Sequence, residues 1–150
     1  MIEPGAEAPD FTLLDQDLNQ VSLSDLLGQK VVLAFYPADF SPICNDQLSI
    51  YQEVLEEIEA RDARLVGISV DGPFCHDAFR ADAGLDFTLL SDFEPKGEVS
   101  RSYGAYLADR GHSSRALVVL DADGVVTYSY EAPHPEIPGA NLIFDALGGS

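Results

Sequence analysis

The chain has 150 residues, 46% of them hydrophobic, which is enough for one domain over residues 1–150 with its own core. Its 26 Asp and Glu against 8 Lys and Arg give a formal charge of −18, which repels nucleic acid and anionic membranes and suits a halophilic-type surface, because molar salt screens such self-repulsion. No run approaches the roughly 20 apolar residues of a membrane span, the N-terminus lacks a signal-peptide pattern, and two cysteines cannot make a disulfide framework, so a reducing cytoplasmic compartment is expected.

Phe11 to Leu14 and Val21 to Leu23 read as short strands around a polar turn, followed by a brief helical turn ending at Gly28. Val31 to Tyr36 is wholly apolar, as a strand buried on both faces must be. A long amphipathic helix is predicted from Pro42 to Ala60. Leu48, Tyr51, Val54, Leu55 and Ile58 recur at helical spacing, with Glu53, Glu56, Glu57 and Glu59 on the other side. Arg64 to Val70 is the next buried strand, and Asp71-Gly72-Pro73 turns it into a helix over about Phe74 to Ala83. Strand, helix, strand predicts a parallel, right-handed crossover unit. Phe87 to Leu90 gives a strand and Glu98 to Tyr103 a short helix. Ala116 to Leu120 and Val125 to Tyr130 form a hairpin about the Asp123-Gly124 step, and Asn141 to Leu147 a closing helix. The expected fold is α/β, a mixed central sheet flanked by helices, with an N-terminal β-hairpin extension.

The chemically loaded stretch is YPADFSPICNDQL, residues 36 to 48. Ser41 has the preferences of an N-cap and Pro42 those of the first helical position, which puts Cys44 at the third. Free backbone N–H groups and the positive end of the helix dipole there favour a thiolate. An isolated buried cysteine is ordinarily a small apolar filler. Its position at a strand-to-helix junction is what points to a nucleophile.

The spacing Pro37-x-x-x-Ser41-x-x-Cys44 resembles the peroxiredoxin signature of Pro, Thr or Ser, and peroxidatic Cys, with Ser41 in the hydroxyl place. The blocks GAEAPDFTLLDQD, GISVDGPFCHDAF, LDFTLLSDF and SSRALVVLDADGVV resemble further peroxiredoxin segments in family order, so the likeness runs from about Gly5 to Tyr130. It is nearest to the bacterioferritin comigratory protein (PrxQ) or AhpE-like type. The resemblance implies a thioredoxin-like fold and a thiol-dependent peroxidase acting on hydrogen peroxide and organic hydroperoxides. Cys44 would be the nucleophile, Ser41 and Arg115 would align the peroxide, and Pro37 would shield the site. Thioredoxin or a similar dithiol would be the reductant. No metal, haem or flavin is implied, and because many members are dimers a homodimer is the corresponding expectation.

Two departures bear on the chemistry. The position five residues after Cys44, where some PrxQ-type members carry a resolving cysteine, is Ser49, and Gln47 stands where the family often has Glu. Either Cys75 resolves the sulfenic acid through an intramolecular disulfide after local unwinding, or it is a bystander and an external thiol does so. A thioredoxin-like disulfide oxidoreductase is a rival reading, although its chemistry ordinarily needs a second cysteine at position 41. A redox sensor or holdase using the same sulfenic acid is another. Cys75, His76, His112 and His134 are metal-ligand types without metal-binding spacing.

Overall fold

The structure, a computed structural model, describes residues 1–133 and 135–148. In chain order the elements are β1 (Thr12–Asp15), β2 (Gln20–Ser22), α1 (Leu23–Leu26), β3 (Lys30–Phe35), α2 (Pro42–Glu53), α3 (Leu55–Glu59), β4 (Ala63–Ser69) and α4 (Pro73–Ala83). There follow β5 (Thr88–Ser91), α5 (Glu98–Ser102), β6 (Tyr106–Leu107), β7 (His112–Ser113), β8 (Arg115–Leu120), β9 (Val126–Ala132) and α6 (Ala140–Ala146).

Seven strands make one sheet in the order β2-β1-β5-β4-β3-β8-β9, and β6 and β7 form a separate two-stranded ribbon. β3, β4 and β5 are parallel, joined by crossovers through α2–α3 and α4, while β8 and β9 add antiparallel on one side and β1 and β2 on the other. The apolar runs are central for a physical reason. Val31 to Phe35 and all of β8 are buried because helices cover both faces of the sheet there. On one face Leu48, Tyr51, Ile58, Phe79 and Ile143 pack from α2, α3, α4 and α6 against alternate strand residues. On the other, Leu23 and Leu26 of α1, Val99 of α5, Phe11 and Tyr103 cover the intervening ones.

The expected elements are all present with ends shifted by a residue or two, and the N-terminal hairpin extends the main sheet beside β5. The predicted helix from Pro42 to Ala60 is, however, two helices. At Val54 (φ −111°, ψ 13°) the backbone N–H donates to Tyr51 O at 3.2 Å rather than one residue further back, and the ladder restarts as α3. Glu53, Glu56, Glu57 and Glu59 lie at i,i+3 and i,i+4 spacings across this break, where like charges weaken a continuous helix. The β6–β7 ribbon was not anticipated, since two-residue strands carry no readable periodicity.

Asp121 to Gly124 forms the predicted hairpin turn: Asp121 Oδ1 accepts from the N–H groups of Asp123 (2.9 Å) and Val125 (3.0 Å), and Gly124 has φ +87°. Among the described residues no helix is long and apolar enough to cross a membrane.

Candidate active site

β3 delivers the chain to a turn, residues 37 to 41, and α2 leads it away. Ser41 has extended backbone (φ −71°, ψ 142°), Pro42 occupies the first helical position, and Ser41 Oγ accepts from the Cys44 N–H at 3.3 Å. Cys44 therefore sits in the first turn of α2, fully buried.

Arg115 reaches the same place from 71 residues away because of sheet register. β8 runs antiparallel to β3 with Phe35 opposite Ala116, so the first residue of β8 lies beside the point where the chain leaves β3 for the helix. Arg115 Nη1–H donates to Cys44 Sγ at 2.8 Å, and the arginine is 5% exposed. A guanidinium held against sulfur in a dry site makes a charge-assisted hydrogen bond, of the kind that is strongest when the acceptor is anionic.

Pro37 and Arg115 both line a cleft of about 270 Å³, whose walls include Leu107 and His112 of the β6–β7 ribbon and Ala132 of β9. Arg115 borders this cleft, whereas Cys44 does not line it. Gln47 is buried one helical turn beyond Cys44, and its Nε2 donates to Tyr51 Oη at 3.2 Å. Tyr51 in turn donates to Pro138 O at 2.6 Å, tying the segment before α6 to α2. Burial raises the Tyr51 phenol well above its ordinary range, so it stays a neutral donor. Among the described residues Gln47 Oε1 and Arg115 Nε have no hydrogen-bond partner. Gln47 thus makes no bond to Arg115, in keeping with an amide that carries no charge to hold a guanidinium.

The turn itself is held from beneath by a buried network of side chains distant in sequence. Asp39 is buried and accepts from Tyr36 Oη at 2.6 Å, and its other oxygen lies 2.6 Å from His76 Nδ1. His76 Nε2 lies 3.0 Å from Leu90 O. Tyr36 is fully buried, and burial followed by the Asp39 charge pushes its phenol far up. No spacing signal links positions 36, 39 and 76; they meet because α4 packs on the same face as α2.

Cys75 is in the first turn of α4 and is not bonded to Cys44, both thiols being free. Its sulfur lies within 4.8 Å of carboxylate oxygens of Asp39 and Asp71. Burial, then these two carboxylates, push the thiol up to about 12 from 9.0. The structure thus brings Ser41 and Arg115 each into contact with Cys44 and puts Pro37 on the cleft beside Arg115, while Cys75 belongs to the acidic network behind the turn. His112 Nδ1 lies 2.8 Å from Ser113 O, and His134 lies outside the described residues. The Asp39, Asp71 and Cys75 group offers ligand atoms, but Asp39 is occupied by Tyr36 and His76, and Asp71 Oδ2 accepts from Asp39 N–H and Ser69 Oγ.

Residues 4–129 match the AhpC/TSA family. The chain is 37% identical over 148 residues to alkyl hydroperoxide reductase E of Mycobacterium tuberculosis, covering 98% of this chain and 97% of that protein. It is 40% identical over 131 residues to the chloroplastic peroxiredoxin Q of Oryza sativa subsp. japonica, covering 86% of this chain and 59% of that one. The reduced 2-Cys peroxiredoxin of Plasmodium vivax superposes with a TM-score of 0.88 at 26% identity, covering 98% of this chain and 81% of that one.

Proposed function

The chain belongs to the AhpC/TSA family, as a peroxiredoxin of AhpE/PrxQ type with a thioredoxin-like fold and thiol-dependent peroxidase activity, and on that premise we propose that Cys44 is its peroxidatic residue. The observation that carries the assignment is the 2.8 Å bond from Arg115 Nη1 to Cys44 Sγ at a capped helix start.

The sulfur of Cys44, as thiolate, attacks one oxygen of ROOH. An S–O bond forms, the O–O bond breaks, sulfur is oxidised by two electrons, and RO⁻ leaves to become ROH on taking a proton. Arg115 has further N–H groups with which to hold the peroxide in line and offset charge on the departing oxygen. The Ser41 hydroxyl accepts from the Cys44 N–H through oxygen and keeps its own proton to donate. Pro37, on the wall of the cleft, limits water at the reacting atoms. Peroxide is the oxidant and a thiol compound the reductant; thioredoxin or a similar dithiol is the donor we favour, in a reducing cytoplasmic compartment.

Resolution by an external thiol is the reading best supported. Attack on the Cys44 sulfenic acid requires a thiolate, and where Cys75 sits burial, then Asp39 and Asp71, oppose its ionisation. Condensation of the sulfenic acid with the donor's thiol releases water and leaves a mixed disulfide, which the donor's second thiol then cleaves. The disulfide oxidoreductase alternative is not favoured: Ser41 stands where the second cysteine would be.

Intact mass after one equivalent of peroxide tests the scheme. The parent and Cys75→Ser should both gain one oxygen, and Cys44→Ser should gain none. Loss of two hydrogens by the parent would instead assign resolution to Cys75. Unchanged oxidation of Cys44→Ser would remove the central assignment.

A further inference from the structure

The turn that carries Pro37 and Ser41 is held at one residue. Asp39 accepts from Tyr36 Oη on one carboxylate oxygen and meets His76 Nδ1 on the other, both at 2.6 Å, and its backbone N–H donates to Asp71 Oδ2 at 2.8 Å. Asp71 is itself fixed by Ser69 Oγ at the end of β4. A carbonyl oxygen can only accept, so His76 Nε2 must carry a proton toward Leu90 O at 3.0 Å. Nδ1 then faces the Asp39 carboxylate at 2.6 Å. The side chains of both residues are fully buried, and no water competes for this bond.

The residue between Asp39 and Ser41 shows what the bonds hold in place. Phe40 has φ +65°, a left-handed conformation that a side chain with a Cβ rarely adopts, and it is half exposed, with its ring against Phe79 at a centroid distance of 5.1 Å. Such a backbone persists only where its surroundings over-determine it. Asp39 on one side and the Ser41 cap on the other do so, and the cap sets the first turn of α2 on which Cys44 sits.

We propose that His76 is a positioning residue for the peroxide reaction: through Asp39 it fixes the left-handed turn at Phe40, and so the placement of Pro37 and Ser41 relative to Cys44. Its ring meets Asp39, Tyr36 Oη and Leu90 O rather than Cys44, it does not line the cleft beside Arg115, and it acts from α4, on a different crossover of the sheet. The inference rests on Cys44 being the peroxidatic residue. It adds that the geometry of that site is maintained by a buried His76–Asp39 contact that none of the motif residues supplies.

The test compares His76→Leu, His76→Asn and Tyr36→Phe with the parent, measuring the second-order rate of Cys44 oxidation by hydrogen peroxide at a temperature where circular dichroism shows each folded. Leucine removes both bonds and should slow oxidation by about ten- to a hundredfold, the scale on which small misplacements of reacting groups act. Asparagine restores a donor to Asp39 and should recover most of the rate, a rescue that mere filling of the cavity does not predict. Tyr36→Phe removes one of the two carboxylate bonds and should give a smaller loss, about threefold on the same scale. A folded His76→Leu that oxidises Cys44 at the parent rate overturns the proposal. If leucine prevents folding, a folded Tyr36→Phe at the parent rate overturns it. Failure of the parent itself to be oxidised at Cys44 would instead overturn the proposed function.

Discussion

Replacing Arg115 with methionine keeps a long, unbranched buried side chain and deletes only the guanidinium. The bond it removes is 2.8 Å long and its donor is 5% exposed. Two unit charges at that separation attract by about 6 kcal/mol at an effective dielectric of about 20. Much of that is offset by the cost of drying both groups, and removal of one donor from an oxyanion-type site typically leaves a loss of about 2.7–4 kcal/mol in the transition state. At about 1.4 kcal/mol per decade, Arg115→Met should lower the second-order rate of Cys44 oxidation by about 10²- to 10³-fold. Arg115→Lys, which restores the charge but not the planar fork of donors, should fall between. The chain has no tryptophan, so the reaction is best followed by rapid quench and intact mass. Folded Arg115→Met reacting within about threefold of the parent would refute the electrostatic argument, because that corresponds to less than about 1 kcal/mol.

Ser41→Ala should cost about 0.5–1 kcal/mol in urea unfolding, the low end for a lost cap because the bond is 3.3 Å long, and should slow peroxide reduction further than Ser41→Thr does; equal rates for the two would separate the hydroxyl from the chemistry.

Cys75 ionises in the unfolded chain from about 9.0, but in the fold, where burial and then Asp39 and Asp71 oppose the charge, only near 12. Stability is therefore intact below about pH 9 and declines as pH rises toward 12, and Cys75→Ala should show a shallower alkaline decline in chemical denaturation; identical slopes would contradict this.

Among the described residues no Lys or Arg lies within 4.0 Å of a carboxylate, and Glu53, Glu56, Glu57, Glu59 and Asp86 crowd one cleft. With a net charge of −18 so little neutralised by pairing, the melting temperature should rise from dilute buffer to molar KCl, and an unchanged value would count against a surface matched to salt.

What the chain settles by itself is local. The strand-to-helix junction at Cys44 follows from an apolar run, a proline-containing turn, and Ser41-Pro42 as cap and first helical residue. The β8–β9 hairpin follows from Asp123-Gly124. Each depends on backbone preferences and on bonds between residues a few positions apart, which neighbouring residues in a sequence state directly. The tertiary structure decided whatever depends on register and packing. Arg115 meets Cys44 because Phe35 pairs with Ala116, and His76 reaches Asp39 because α4 and α2 share a face of the sheet. The thiol of Cys75 is pushed up first by burial and then by Asp39 and Asp71, which the turns after β3 and β4 bring beside it. The helix break at Val54 is also of this kind, a balance between a continuous apolar stripe and repelling glutamates that periodicity alone does not weigh. The energy of such contacts depends on distance in space, and segments far apart in the chain acquire their distances only when the strands align.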